Sequence, residues 1–251
     1  MNAKASEAKI KLAFDGAVAI LTIDDLPRRN ALGLDSYSLI NNYCKVVNDD
    51  EAIGALVIRG AGGHFCSGAV REVLQDYGAD PLATENFKIL SSIYDAVFRL
   101  GDLKVPVIAA VRGSAVGAGF NIAMVADIRI VAKNANFLSG FASIGMHPGG
   151  GHFYLLERLV SREVAAAIGM FGLPISGETA LKIGLAWEVL PDLEVENRAM
   201  VLAHNVAKNP ALARAMKKSF VTTVNSSWAV AIDAERSVQM WTLRNIHGSN
   251  D

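Results

Sequence analysis

Two glycine-rich turns in this sequence carry the residue types that let backbone amides do chemistry. The first, His64-Phe65-Cys66-Ser67-Gly68-Ala69, follows the apolar run Ala55-Leu56-Val57-Ile58-Arg59-Gly60. The second, Gly113-Ser114-Ala115-Val116-Gly117-Ala118-Gly119, follows Val105-Pro106-Val107-Ile108-Ala109-Ala110-Val111. Small residues let a ligand approach the backbone closely, and where a helix begins its first amides have no intrahelical partner and point outward. Two such donors converging on one oxygen make an oxyanion hole, which stabilises negative charge developing on a carbonyl. A single turn of this kind is most often a tight strand-to-helix connection, so the pair carries the reading.

The titratable candidates stand around those turns. His152 follows Gly149-Gly150-Gly151 and opens a helical segment; histidine is the residue type most used for general acid and base work. The opposing reading is a helix cap or a packed structural histidine beside Phe153 and Tyr154. His147 and His64 are weaker candidates, and Glu72, Asp76 and Tyr77, after the first turn, are a reserve of acid and base groups. Arg28 and Arg29 suit phosphate oxygens through their guanidinium forks, or stand as solvated loop charges. The only cysteines, Cys44 and Cys66, suggest neither a disulfide framework nor a zinc site and read as reduced, partly buried thiols.

Short β-rich runs alternating with helical periods are what must position these residues. Ala17 to Ile23, Ala55 to Arg59, Val105 to Val111 and Ile128 to Val131 read as strands. Asp35 to Val47, starting at an Asp cap, and Thr84 to Leu100 read as helices, and a short helix starts from about Gly117. Strands separated by helices need crossovers and so argue for a parallel sheet and an α/β class. After Pro148 the pattern turns helical: Ser161 to Phe171, Ser176 to Gly184, Asn197 to Ala207, Ala211 to Phe220 and Ser227 to Ile246, with Trp187-Glu188-Val189-Leu190 the best remaining strand. This divides the chain into an α/β core over 1–191 and a helical region over 192–251.

Composition bounds the partners. With 251 residues, 51% of them apolar, the chain has material for a large core, and a formal net charge of −1 removes the bulk electrostatic case for nucleic acid or an anionic membrane. A small-molecule partner fits better. The segment Met1 to Lys9 is polar and no apolar run reaches the roughly 18 to 20 residues that span a bilayer, so the expected location is cytoplasmic.

Several blocks together resemble the crotonase superfamily of enoyl-CoA hydratases and isomerases: Pro27-Arg28-Arg29-Asn30-Ala31-Leu32, Phe65-Cys66-Ser67-Gly68-Ala69, Ala115-Val116-Gly117-Ala118-Gly119 and Ala126-Asp127-Ile128-Arg129-Ile130, in order and spacing. The resemblance runs from about Ile10 to Trp187. It implies a spiral of repeated β/α units, and C-terminal helices that trimerise, usually as dimers of trimers, and close the acyl pocket. Met240, Trp241, Leu243 and Ile246 could line that assembly surface or an ordinary core face. It also implies an acyl-CoA substrate, coenzyme A being part of the thioester, with no separate cofactor and no metal.

Residue by residue, the resemblance puts the two oxyanion amides on Ala69 and Ala118. Arg28, Arg29, Ala31, Ser67, Gly68, Val70, Arg71, Gly117 and Phe141 become the implied substrate and CoA contacts. The departures concern chemistry. Val70 stands where Asp is common. Hydratases of the family usually work with two glutamates, and at those positions this chain has Asn121 and Phe141, so the two-glutamate mechanism does not transfer. The chain resembles a subgroup that pairs Gly-Ala-Gly-x-Asn with His-Pro-Gly-Gly-Gly-His. With the glutamates gone, His152 is the best placed titratable residue for the acid or base role, and Asn121 can only orient water or substrate. Two functions follow: an acyl-CoA enzyme working through an enolate, with hydration, isomerisation, decarboxylation and C–C cleavage all open, or a non-catalytic acyl-CoA binding protein.

Overall fold

The computed structural model describes residues 9–224 and 226–247, the last three by backbone alone. Most of the polar N-terminal segment, Met1 to Ala8, and the side chain of Ile246 therefore lie outside the described residues. The first strands, β1 (Ile10–Asp15) and β2 (Val18–Ile23), pair antiparallel about Gly16, whose φ of +56° suits a tight turn. From β2 onward the main sheet is parallel, through β3 (Ala55–Gly60), β4 (Val107–Val111), β6 (Ile128–Ala132) and β9 (Glu188–Leu190), in the order β1-β2-β3-β4-β6-β9. Ile20, Val57, Ile108 and Ile128 stand side by side across it. β3 and β4 are almost wholly buried, as expected of strands covered on both faces.

A smaller sheet forms the second layer of the spiral: β5 (Ser114–Val116) parallel to β7 (Asn136–Leu138), which pairs antiparallel with β8 (Ile175–Ser176). After β4 the chain enters the small sheet as β5, and after β6 as β7. The chain after β3 does the same without forming a named strand, because Cys66 bridges to Ala115 beside β5.

Helices α1 (Leu34–Asp49), α2 (Arg71–Gly78), α3 (Thr84–Gly101) and α4 (Ala118–Val125) come between strands, and α3 packs on both α1 and α4. Asp35 does not cap α1. The helix starts one residue earlier, with Gly33 at the cap and no side-chain hydrogen bond there, which leaves Asp35 in the first turn, where a carboxylate favours the helix dipole. Then come α5 (His152–Leu159), α6 (Arg162–Gly169), α7 (Gly177–Lys182), α8 (Val195–Ala207), α9 (Pro210–Thr223) and α10 (Trp228–His247). Helix α8 crosses strands of the large sheet, and its buried residues Val195, Ala199, Ala203 and Ala207, spaced by four, put small side chains on one face. Arg59 and Arg112 both hold Glu196, at 2.9 and 2.8 Å, tying α8 to the ends of β3 and β4. Among the described residues no helix is long and apolar enough to cross a membrane.

Candidate active site

The first turn is held in place from below. Asn30, fully buried and at φ +61°, accepts the Asp25 amide at 2.9 Å and donates to the Ala61 and His64 carbonyls at 2.9 and 2.6 Å. Leu32 then makes a parallel bridge: its amide donates to the Gly68 carbonyl at 2.8 Å and its carbonyl accepts the Val70 amide at 3.0 Å. Those bonds use the residues on either side of Ala69, so the Ala69 amide is turned away from Leu32.

The second turn lies directly against the first. Gly68 has φ +96°, and a β-carbon there would stand 2.9 Å from the Val116 carbonyl oxygen and 3.8 Å from the Ala118 nitrogen. Gly117, at φ +53°, redirects the chain from β5 into α4, and Ala118 is the first residue of that helix, where no carbonyl one turn back exists to accept. Gly119 seats α4 on the first turn: a β-carbon there would overlap Cys66. Neither the Ala69 nor the Ala118 amide has a protein acceptor among the described residues.

Both turns line a cavity of about 590 Å³. With them it is lined by Leu90, Ile93, Tyr94 and Val97 of α3, the segment Leu138 to Phe141, and residues of the loop from Met146 to Gly150. Arg71, Tyr94 and His147 are the titratable groups lining it; among the described residues no Asp or Glu does. A larger surface groove, about 1010 Å³, between the ends of α1, α3 and α9 touches neither turn.

Behind the cavity wall runs a hydrogen-bonded chain whose donors and acceptors are fixed from one end. The Gly149 carbonyl can only accept, so the Asn121 group facing it at 2.8 Å is the amide nitrogen. The Asn121 oxygen therefore faces His152 Nδ1 at 2.7 Å, and that nitrogen carries the proton. His152 Nε2 is then a bare acceptor, and the Ser139 hydroxyl donates to it at 2.9 Å. The imidazole is 1% exposed and sits among the rings of Phe120, Phe141 and Phe153, with centroids 5.6, 5.2 and 6.1 Å away. Burial disfavours the imidazolium and pushes its pKa down to about 4, so the ring is neutral near pH 7.

The structure thus separates the sequence candidates. Ser67, Gly68, Ala69, Arg71, Gly117, Ala118, Asn121 and Phe141 line the cavity. His152 does not: it reaches the cavity only through Asn121 and Ser139. Ala31 and Val70 are buried in a small apolar cluster with Val73, and Tyr77 packs on it. Arg28 and Arg29 are exposed on the loop beside the first turn, to which Ser67 ties them through its hydroxyl to the Arg28 carbonyl at 2.8 Å and its amide to the Arg29 carbonyl at 3.1 Å. Glu72 and Asp76 are exposed on α2, outside the cavity lining. His147 lines the cavity with Nδ1 on the Pro148 carbonyl at 2.7 Å, whereas His64 does not line it. Cys44 and Cys66 are buried free thiols. Arg129 is structural: it is buried and donates to the carbonyls of Ala126 at 2.7 Å and Leu185 at 2.6 Å, closing the end of α4.

Two site residues went unread in the sequence, Ser139 and Tyr94. Tyr94 lies among the apolar residues of a helix; Ser139 directly follows a three-residue strand too short to show a period. The one signal for Ser139 was a hydroxyl and a glycine closing the run Phe137-Leu138.

Comparison with known proteins shows the family of this chain. The sequence profile of the enoyl-CoA hydratase/isomerase family matches residues 13–247. A probable enoyl-CoA hydratase of Mycobacterium tuberculosis is 37% identical over 183 residues, 73% of this chain and 70% of that protein. The 1,2-epoxyphenylacetyl-CoA isomerase of Escherichia coli K12 is 31% identical over 226 residues, 88% of this chain and 85% of that protein. A Thermobifida fusca YX structure in complex with acetoacetyl-CoA superposes with a TM-score of 0.86 at 27% identity, covering 95% of this chain and 96% of that one. By sequence profile, relatives and fold alike, this chain belongs to the enoyl-CoA hydratase/isomerase family of the crotonase superfamily.

Proposed function

We propose that the protein is an acyl-CoA-processing enzyme that holds a thioester carbonyl oxygen between the amides of Ala69 and Ala118. The observation that carries this reading is the pair of unpartnered amides on touching turns in the wall of one cavity. Charge that moves onto the carbonyl oxygen when an enolate forms meets two fixed donors, each worth roughly a hundred- to a thousandfold in rate in comparable sites. Ser67, Gly68, Gly117 and Arg71 flank the thioester position, Phe141 forms part of the apolar wall, and Arg28 and Arg29 stand beside the first turn within reach of a CoA phosphate. Hydration, isomerisation, decarboxylation and C–C cleavage all use that enolate. With Asn121 and Phe141 at the positions of the family's usual glutamates, the proton moves through another group.

A second reading, a non-catalytic acyl-CoA binder, is favoured by the absence of any carboxylate among the described residues lining the cavity. Titration calorimetry with acyl-CoA esters against the free acids tests the common ground, and no preference for the ester removes both readings. Incubation with enoyl-, dienoyl- and malonyl-type CoA esters followed by mass spectrometry separates them: a converted ester supports the enzyme, and binding without conversion supports the binder. The same reading extends to assembly as a trimer or hexamer, which would cover exposed apolar residues of α9 and α10 such as Phe220, Trp228, Met240 and Trp241.

A further inference from the structure

Ser139, 2% exposed, lines the cavity that Ala69 and Ala118 also line, and its hydroxyl is bonded to a histidine that an asparagine orients. We propose that Ser139, His152 and Asn121 form a nucleophile, base and orienting group that hydrolyse the thioester of a bound acyl-CoA through an acyl-serine intermediate. The inference rests on acyl-CoA binding in this cavity as proposed above, and it assigns the site an acyl transfer in addition to enolate chemistry.

Three requirements of serine acyl transfer are met by separate observations. The nucleophile and base are within hydrogen-bonding reach at 2.9 Å, and the base and orienting group at 2.7 Å. The tautomer is correct, because the anchored Asn121 amide puts the imidazole proton on Nδ1 and leaves Nε2 free to accept from Ser139. The oxyanion donors Ala69 and Ala118 line the same cavity as Ser139. The buried ring is also neutral near pH 7, so no proton has to leave it before it acts as base.

In the first step the Ser139 Oγ bonds to the thioester carbon as its proton passes to His152 Nε2, and the carbonyl electron pair moves onto the oxygen between the two amides. Collapse breaks the C–S bond, and the departing CoA thiolate takes the proton from Nε2 to leave as the thiol. A water molecule then attacks the serine ester and gives a proton to Nε2. The second collapse breaks the bond to Oγ, which takes that proton back. One water is consumed; the products are CoA and the carboxylic acid, with no redox partner. A thiolate is a better leaving group than an alkoxide, so acylation outruns deacylation and the acyl-serine accumulates.

The test uses the whole protein with butyryl-CoA, following CoA release with a thiol reagent and acylation by intact and peptide mass spectrometry. The expected result is a burst of free CoA and one butyryl group on the peptide containing Ser139. Both fall at least about a hundredfold in Ser139→Ala, while its calorimetric affinity for butyryl-CoA stays within about threefold of wild type. Ser139→Cys moves the adduct to a thioester that neutral hydroxylamine cleaves, which keeps the test decisive should the alanine variant not fold. Wild-type protein that binds butyryl-CoA but neither releases CoA nor carries an adduct overturns the hydrolysis and leaves the binding reading standing. CoA release unchanged in Ser139→Ala, or an adduct in Ser139→Cys that resists hydroxylamine, overturns it as well. Absence of any butyryl-CoA binding removes the reading beneath it together with the inference.

Discussion

Replacing Gly119 by alanine tests whether the contact between the two turns sets the spacing of their amides. The new β-carbon would lie 2.4 Å from the Cys66 carbonyl oxygen, 2.7 Å from its β-carbon and 2.8 Å from its sulfur, where ordinary contact begins near 3.4 Å. The groups it meets cannot swing aside. Cys66 is fully buried, its carbonyl accepts the Val116 amide at 3.0 Å, and its amide donates to the Ser114 carbonyl at 3.0 Å. The start of α4 must therefore lift off the first turn by about 1 Å, at a cost of about 1–3 kcal/mol in stability. That movement carries the Ala118 amide away from Ala69, and a misplacement of about 1 Å costs roughly a hundredfold in turnover. The control is Gly101→Ala in the last turn of α3, where the nearest atoms, both of Val125, lie at 3.4 and 3.5 Å and alanine is expected to add about 0.5–1 kcal/mol. Urea denaturation, calorimetry with an acyl-CoA ester and turnover of whichever ester the protein converts are measured on both variants. If Gly119→Ala is as stable and as active as Gly101→Ala, the contact does not set the amide spacing and the argument fails.

Asn30→Ala removes three hydrogen bonds from a fully buried site and leaves alanine at φ +61°, for an expected loss of about 3 kcal/mol in urea denaturation; a loss under about 1 kcal/mol would show that the first turn is held by other contacts. His152, with its folded pKa pushed down to about 4 against roughly 6.5 unfolded, takes up its proton first in the unfolded chain. Its contribution, on the order of 3 kcal/mol, is present above about pH 6.5 and lost as pH falls towards 4. Comparison of urea midpoints with His152→Gln should isolate that slope, and parallel pH profiles for the two proteins would contradict it. Burial pushes the thiols of Cys44 and Cys66 up to about 12, so both should resist a thiol reagent in the native protein and react only on unfolding. Light scattering at micromolar concentration should give a trimer or hexamer; a monomer contradicts the assembly proposed for the C-terminal helices.

The long elements were legible because their patterns extend over several turns or a whole buried run. The stretch 84–100 read as a helix is α3, and three of the C-terminal helices, α6, α7 and α9, begin where side-chain caps sit: Ser161 accepts the Val164 amide, Ser176 that of Thr179 and Asn209 that of Leu212. The smaller sheet was not legible. Strands β5, β7 and β8 have three, three and two residues, too short for a period, and β5 lies inside what read as a continuous glycine turn. The backbone positions of the site were readable from glycines, since Gly68 and Gly117 adopt conformations other residues resist. Side-chain direction was not. His152 follows three glycines and looks free to face the cavity, yet α5 turns it inward onto Asn121 and Ser139, residues from other segments. Such a meeting depends on how the spiral closes and leaves no trace in local spacing.

The orientation of Asn121 is decided by a single peptide plane, that between Gly149 and Gly150. Gly150, at φ +66°, belongs to a residue type for which rotation of that plane meets little steric resistance. A half-turn would present the Gly150 N–H to Asn121 in place of the Gly149 carbonyl. Asn121 would then reverse its amide, His152 would move its proton from Nδ1 to Nε2, and Ser139 would become the acceptor, its own proton turned towards the cavity. The Gly149 carbonyl therefore sets the polarity of the whole chain from Asn121 through His152 to Ser139: as it stands, the Ser139 proton points to the imidazole and its lone pairs are left for the cavity side.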